Sequence, residues 1–156
     1  MSAAHAKQAG ADTKWDKETD VLVIGYGGAG ACAAIEAHDK GSKVLIIEKM
    51  AQPGGNTAIS SGGFMVPQDG PTALKYLTAT YDLANSEKDD ELLNTFCKEI
   101  MGVKDWMTGL KEGTELWVYG HAGFQNLPGW EVIDKYRVRG KKRSGDCLFD
   151  LYRYAV

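Results

Sequence analysis

Two short apolar runs near the start of the chain have the length and composition of buried β-strands. They occupy residues 20–24 and 43–48, and neither alternates with polar residues, as expected for strands of a parallel sheet covered on both faces. Between them, small residues recur at helical spacing from residue 27 or 28 to about residue 40, where Gly41 is placed to end the helix. The pattern predicts a right-handed βαβ unit and an α/β fold.

The rest of the chain reads mainly as helices and loops. We expect these elements in order: a loop over 49–71, helices over 71–85 and 89–111, a strand over 115–119, a loop to about 143 and a last helix from Ser144 or Asp146. That last helix has no glycine or proline to end it. We therefore expect residues 20–156 to be the N-terminal part of a longer domain that is incomplete in this chain. Residues 1–19 lack an apolar segment and are predicted to be a disordered leader rather than a secretory signal.

Composition excludes several classes of partner. The chain has 156 residues, of which 44% are hydrophobic, and a net charge of −3 at pH 7. This charge gives no electrostatic reason to expect nucleic acid or an anionic membrane, and no apolar run approaches the roughly 20 residues of a membrane helix. Three widely spaced cysteines predict neither a disulfide framework nor a metal site, and they favour a reducing, cytoplasmic setting.

Glycine is the residue type in clear excess, with 19 of 156 residues against a typical share of about 7%. The first cluster, residues 25–30, fits G-x-G-x-x-G at the junction of the first strand and the helix. Gly25 permits the tight turn, Gly27 leaves room for a pyrophosphate, and Gly30 lets the helix pack closely on the strands. In this context the motif predicts a dinucleotide site.

Two further features of that region indicate which dinucleotide binds. Amide N–H groups around Gly28 and Ala29, at the positive end of the helix dipole, suit an anionic diphosphate. Glu48 ends the second strand, where it is placed to accept hydrogen bonds from ribose hydroxyls and to repel a 2′-phosphate. FAD or NAD is therefore favoured over NADP.

A second glycine-rich stretch, residues 54–63, lies shortly after Glu48 in the sequence. Its closely packed amides and small hydroxyls suit the middle and the flavin end of a longer cofactor, which favours FAD. An NAD-dependent dehydrogenase built on the same βαβ unit stays open as an alternative.

The stretches 20–30, 44–49 and 54–63 together resemble the flavoprotein family of soluble fumarate reductases, succinate dehydrogenase flavoprotein subunits and 3-ketosteroid dehydrogenases. The resemblance is strong over residues 20–67 and fades over 70–156. It implies an FAD-dependent oxidoreductase that reduces or forms a C=C bond next to a carbonyl or carboxylate of a small-molecule substrate, with the substrate-capping domain absent here. The implied cofactor contacts are Gly25, Gly27, Gly28, Ala29, Gly30, Glu48, Lys49, Gly55, Asn56, Thr57, Ser61, Gly62 and Gly63.

Departures from the family pattern are informative. Asn56 stands where the membrane-complex succinate dehydrogenases have a histidine bonded to the flavin, so the resemblance implies non-covalent FAD. Thr57 and its neighbours offer no cysteine pair, which argues against dithiol chemistry. The family's catalytic acid has no match in this chain, and a non-catalytic fragment or subunit that needs a partner chain stays open as an alternative.

Three other features are further candidates for a role in the site. Tyr119 is a candidate proton donor by the resemblance, and His121 a candidate substrate contact, although a surface loop is the simpler interpretation for the histidine. The basic run over residues 137–143 fits a solvated loop by default. Its sharper interpretation is a contact to the cofactor or to the missing domain.

Overall fold

The computed structural model describes residues 14–156, so most of the predicted leader at residues 1–19 lies outside the described part. The described elements follow in this order: β1 (Val21–Ile24), α1 (Gly28–Asp39), β2 (Val44–Ile47), α2 (Gly55–Ile59), β3 (Phe64–Pro67), α3 (Gly70–Leu83), α4 (Asp90–Glu99), α5 (Val103–Gly109), β4 (Leu116–His121), β5 (Ile133–Val138) and α6 (Ser144–Ala155). The strands form two separate sheets, a parallel pair and an antiparallel group of three.

The predicted βαβ unit is confirmed. Strands β1 and β2 pair in parallel, with Val21 opposite Val44, and α1 connects them. Helix α1 ends where Gly41 adopts a left-handed φ of 86°, a conformation that favours glycine. A Cβ atom on Gly30 would lie 3.2 Å from the carbonyl carbon of Gly25, so the absence of a side chain lets α1 approach the end of β1.

The second sheet, in the order β3-β5-β4, was not predicted. Strand β3 and the short helix α2 lie within residues 49–71, where the sequence predicts a loop, and β5 lies in the predicted loop that follows β4. Strand β5 was missed because its covered face carries the buried Asp134, which hides the alternation of apolar and polar residues. Helix α2 has five residues, too few to show a helical period.

The predicted long helix over 89–111 is interrupted. Helix α4 ends at Glu99, a 3-10 turn covers Ile100–Gly102, and α5 runs from Val103 to Gly109. Glycine lowers helix propensity at the break. The interruption lets α4 and α5 pack in different hydrophobic clusters. Cys97 of α4 packs with Ala73, Tyr76 and Ile133. Met107 of α5 packs with Val138, Leu148 and Leu151.

Helix α6 begins at Ser144, but its N-cap residue is Arg143 rather than Ser144 or Asp146. Arg143 Nε donates to Asp146 Oδ2 at 2.9 Å. Gly145, the second residue of α6, lies against the end of α2. A Cβ atom on Gly145 would be 2.6 Å from the carbonyl oxygen of Ala58 and 2.7 Å from that of Thr57. Helix α6 therefore packs directly on the second glycine-rich stretch.

The parallel pair of strands leaves apolar side chains uncovered. Ile24 is 80% exposed, Leu22 51% and Ile47 45%, whereas both faces of a parallel sheet are normally buried. Among the described residues, the helices are too short or too polar to cross a membrane.

The crossing of α6 and α2 yields a test of stability. We expect Gly145→Ala to lower the free energy of unfolding by about 1–3 kcal/mol, because the new Cβ would meet backbone oxygens that can move only with α2. Chemical denaturation measures the change. Gly109→Ala is the matched control: a Cβ there meets nothing within 4 Å, so stability should be unchanged or raised. Equal effects of the two substitutions would contradict the proposed close packing.

Candidate functional site

The two glycine-rich stretches lie side by side. Gly27 and Gly54 form a parallel β-bridge, and the Gly54 N–H donates to the carbonyl of Tyr26 at 2.8 Å. A Cβ atom on Gly55 would lie 3.8 Å from Gly27 Cα, so the two backbones are in van der Waals contact. Segments separated by about 25 residues along the chain thus form one continuous backbone surface.

A side chain from α2 completes the contact. The Gly28 N–H donates to Thr57 Oγ1 at 3.1 Å, and a Cβ atom on Gly28 would lie 2.5 Å from that oxygen. The sequence predicts that the Gly28 amide is free for a diphosphate, whereas in the structure this amide donates to Thr57. The amides of Ala29 and Gly30 remain in the first turn of α1, where the helix supplies no carbonyl partners.

The surroundings of this helix start suit an anion. The first turn of α1 contains no acidic residue, so the positive end of the helix dipole is not neutralised locally. Gly25 has a φ of 99°, and a Cβ atom there would meet nothing within 4 Å. The residues present therefore fit a dinucleotide diphosphate, because no acidic side chain lies in the first turn of α1 and the left-handed φ of Gly25 permits the tight turn into the helix.

Glu48 lies at the carboxyl end of β2, beside the same turn. Its carboxylate accepts from the Tyr26 N–H at 2.7 Å and from the Met50 N–H at 2.8 Å. Hydrogen bonds from the Met50 and Tyr26 amides hold the pKa of this carboxyl below its ordinary value, so it is ionised at neutral pH. Each oxygen keeps a lone pair, and the carboxylate can still accept from ribose hydroxyls.

The other predicted contacts are placed as follows. Lys49, Asn56 and Ser61 are exposed. Gly62 has a φ of 64°, and its Cβ would lie 2.7 Å from Gly145 N. A Cβ on Gly63 would lie 3.0 Å from Cζ of Tyr119. Backbone contacts within the chain thus already require glycine at 62, whereas Gly63 faces only the Tyr119 side chain, and the contact of both with FAD stays a prediction.

Two aromatic residues support the site and were not singled out from the sequence. The Tyr26 and Phe149 rings meet edge to face with centroids 5.4 Å apart. A Cβ on Gly54 would lie 3.1 Å from Phe149 Cδ1. No local pattern signals this contact, because Phe149 reaches the site only through the packing of α6.

A βαβ unit with a glycine-lined helix start and an acidic residue after β2 defines a dinucleotide-binding domain. The sequence profile of the family described as "FAD binding domain" matches residues 20–139. The chain therefore belongs to the FAD binding domain family, whose cofactor is FAD, as the sequence analysis predicted.

Individual relatives are consistent with this family. The chain is 33% identical over 114 residues to "NADH:fumarate oxidoreductase" of Klebsiella pneumoniae, an alignment that covers 68% of this chain and 12% of the relative. It is 31% identical over 105 residues to "3-oxo-5-alpha-steroid 4-dehydrogenase" of Comamonas testosteroni, covering 62% of this chain and 19% of the relative. The chain thus spans less than a fifth of the length of these relatives.

A solved structure shows the same fold. The open conformation of a flavocytochrome c3 fumarate reductase superimposes with a TM-score of 0.71 at 23% identity, over 96% of this chain and 29% of that one. The match extends well beyond the βαβ unit, because it includes nearly all of the described residues.

The bond between α1 and α2 can be tested by an isosteric substitution. We expect Thr57→Val to lower the free energy of unfolding by about 1–3 kcal/mol, because the part-buried Gly28 N–H would lose its acceptor. Thr108→Val is the control, since the Thr108 hydroxyl is exposed and bonds only within its own helix. If the two variants unfolded at the same denaturant concentration, the bond to Gly28 would contribute nothing.

The lowered pKa of Glu48 predicts a pH dependence of stability. A carboxyl whose pKa is lower in the folded state stabilises the fold above its unfolded pKa of about 4.3, and this contribution is lost as the pH falls through the folded pKa. Wild type should therefore exceed Glu48→Gln in unfolding free energy most above about pH 5, with the difference shrinking in acid. Denaturation curves of both proteins between pH 3 and 7 measure it, and a difference that grew in acid would contradict the assignment.

Proposed function

We propose that this chain is the FAD-binding part of an oxidoreductase that reduces or forms a C=C bond next to a carbonyl or carboxylate. The observation that carries the proposal is the backbone bridge between Gly27 and Gly54. It joins the stretch suited to a diphosphate to the stretch suited to the flavin half of one extended cofactor. The printed names of the relatives, a fumarate oxidoreductase and a steroid dehydrogenase, support the reaction class.

Each predicted contact has a distinct task in this proposal. The first-turn amides of α1 bind the diphosphate, Gly25 permits the tight turn and Gly27 leaves room for the diphosphate. Glu48 and Lys49 bind the adenosine side. Residues 55–57 of α2 and residues 61–63 line the remainder of the cofactor. When bound, FAD supplies hydride transfer at the flavin ring. Asn56 offers no nucleophile to the flavin, so we propose that FAD is held non-covalently.

We also propose that residues 20–156 form an incomplete FAD domain. The uncovered Ile24, Leu22 and Ile47 of the two-stranded sheet support this, as does the greater length of the relatives. The groups that protonate the substrate would then come from further chain or from a partner chain. A non-catalytic subunit that folds with such a partner is the second candidate, and the same uncovered sheet favours it.

A cytoplasmic location is likewise a proposal. Cys32, Cys97 and Cys147 are all free thiols, which suits a reducing compartment.

Cofactor titration tests the proposed function. We expect the 156-residue chain to quench FAD fluorescence on binding, and Gly27→Val to weaken binding at least about tenfold, because the added side chain would obstruct the diphosphate path. Gly109→Ala, far from the site, should bind like wild type. A folded chain that bound NADH but not FAD would favour the NAD-dependent dehydrogenase. Failure to bind either nucleotide without a partner chain would favour the non-catalytic subunit.

A further inference from the structure

Two positive charges on one side of β5 have no acidic partner in the described part of the chain. Arg137 and Lys135 lie two residues apart on this strand and therefore share one side of the sheet, opposite to Asp134. Within residues 14–156, neither side chain forms a salt bridge, whereas Arg139 pairs with Glu115 at 3.0 Å. The charges of Arg137 and Lys135 are thus not neutralised by a neighbouring carboxylate of the described residues.

An aromatic ring holds these charges at a defined position. The Arg137 guanidinium carbon lies 4.0 Å from the centroid of the Tyr119 ring, and Lys135 Nζ lies 5.7 Å from it. Tyr119 lies at the β-bulge of β4, between Val118 and Gly120. Stacking on a ring restricts the plane and the position of a guanidinium. The positive charge of Arg137 is therefore fixed relative to the sheet.

The Arg137 side chain is partly withdrawn from water. Its Nε atom is buried and has no hydrogen-bond partner among the described residues. By contrast, the Arg139 side chain is 62% exposed. Solvent and salt screen a partly buried charge much less than an exposed one. The field of Arg137 therefore reaches further into the surrounding protein than the field of Arg139.

The ring that carries Arg137 lies against the second glycine-rich stretch. A Cβ atom on Gly63 would lie 3.0 Å from Tyr119 Cζ and 3.3 Å from Tyr119 Cε1. Only the Tyr119 ring separates the guanidinium from the backbone of Gly63. Residues 61–63 are the part of the chain assigned above to the flavin half of FAD, so the fixed positive charge lies beside that half of the proposed site.

A fixed positive charge at this place acts differently on the two oxidation states of FAD. The oxidised flavin ring is uncharged, and its reduction by two electrons and one proton adds one negative charge to the ring. A nearby cation attracts the charged form and leaves the uncharged form almost unaffected. Charge placed near the ring is one of the means by which a protein sets the electronic properties of a bound flavin.

We propose that Arg137 and Lys135, held by Tyr119, raise the reduction potential of the bound FAD. Both charges act through space, so the effect needs no cavity at Arg137 and no contact with the substrate. A raised potential makes the reduced cofactor easier to form from an electron donor. The inference rests on the proposed function, because it requires residues 61–63 to lie beside the flavin ring.

The midpoint potential of FAD bound to the 156-residue chain tests this effect. Bound FAD is reduced in equilibrium with a reference dye above neutral pH, and the absorbance of both is followed. We expect Arg137→Gln to lower the preference for reduced over oxidised FAD at least about tenfold, which is about 30 mV for a two-electron couple. Arg137→Lys keeps the charge and should stay within about twofold of wild type.

Binding of oxidised FAD separates an effect of charge from damage to the site. Because the oxidised ring is uncharged, Arg137→Gln should bind oxidised FAD within about twofold of wild type. Arg139→Gln is the matched control: it removes the same charge from an exposed, paired side chain and should shift the preference less than about twofold. Lys135→Gln should lower the potential in the same direction, and it decides the test if circular dichroism shows that Arg137→Gln does not fold.

The outcomes distinguish this inference from the proposed function. A folded wild-type chain that bound no FAD would overturn both. FAD bound with the same potential by wild type and Arg137→Gln would overturn the effect on the potential alone. Equal shifts in Arg137→Gln and Arg139→Gln would reflect only the net charge of the chain and would also overturn it, as would equal losses of oxidised and reduced FAD binding in Arg137→Gln.

Discussion

The direct contact between the backbones at Gly27 and Gly54 is the constraint on which the rest of the site depends. The bridge depends on Gly54, whose left-handed φ of 118° favours glycine and whose N–H donates to the carbonyl of Tyr26. Once it has formed, α2 must begin beside the start of α1, and Thr57 reaches the Gly28 amide. One backbone contact thus positions two helix starts, a strand end and the carboxylate of Glu48 around a common surface.

Helix α6 packs against both glycine-rich segments and stabilises their contact. Its Gly145 fits against the last carbonyls of α2, and its Phe149 packs on Gly54 and on the Tyr26 ring. A helix that begins about eighty residues after the second glycine-rich stretch therefore supports that stretch. The parallel strands on the other side of α1 lack an equivalent cover, which is why Ile24 is among the most exposed apolar side chains of the described chain.

The two faces of the antiparallel sheet carry different polar contacts. On the covered face, the buried carboxylate of Asp134 is held by His121 Nδ1 at 3.0 Å and by Tyr136 Oη at 3.3 Å. The bond from His121 links β4 to β5, whereas the bond from Tyr136 lies within β5, and together they satisfy a buried polar group. On the other face, the Arg137 guanidinium stacks on the Tyr119 ring at 4.0 Å, and it forms no salt bridge within residues 14–156. His121 is therefore a structural partner of Asp134.

The sequence by itself determined the βαβ unit, the glycine-rich turn, the acidic residue after β2 and the FAD binding domain family, because each depends on residues close together in the chain. It did not determine α2, β3 or β5, since α2 is shorter than two helical turns and β5 carries its polar Asp134 on the buried face. It also treated the amide of Gly28 as free. Only the tertiary structure decided that Thr57 takes that amide, that Gly62 is required by α6 and that Tyr119 reaches Gly63. Each of these contacts joins segments far apart in sequence, and no local periodicity or propensity encodes which distant backbone a glycine will meet.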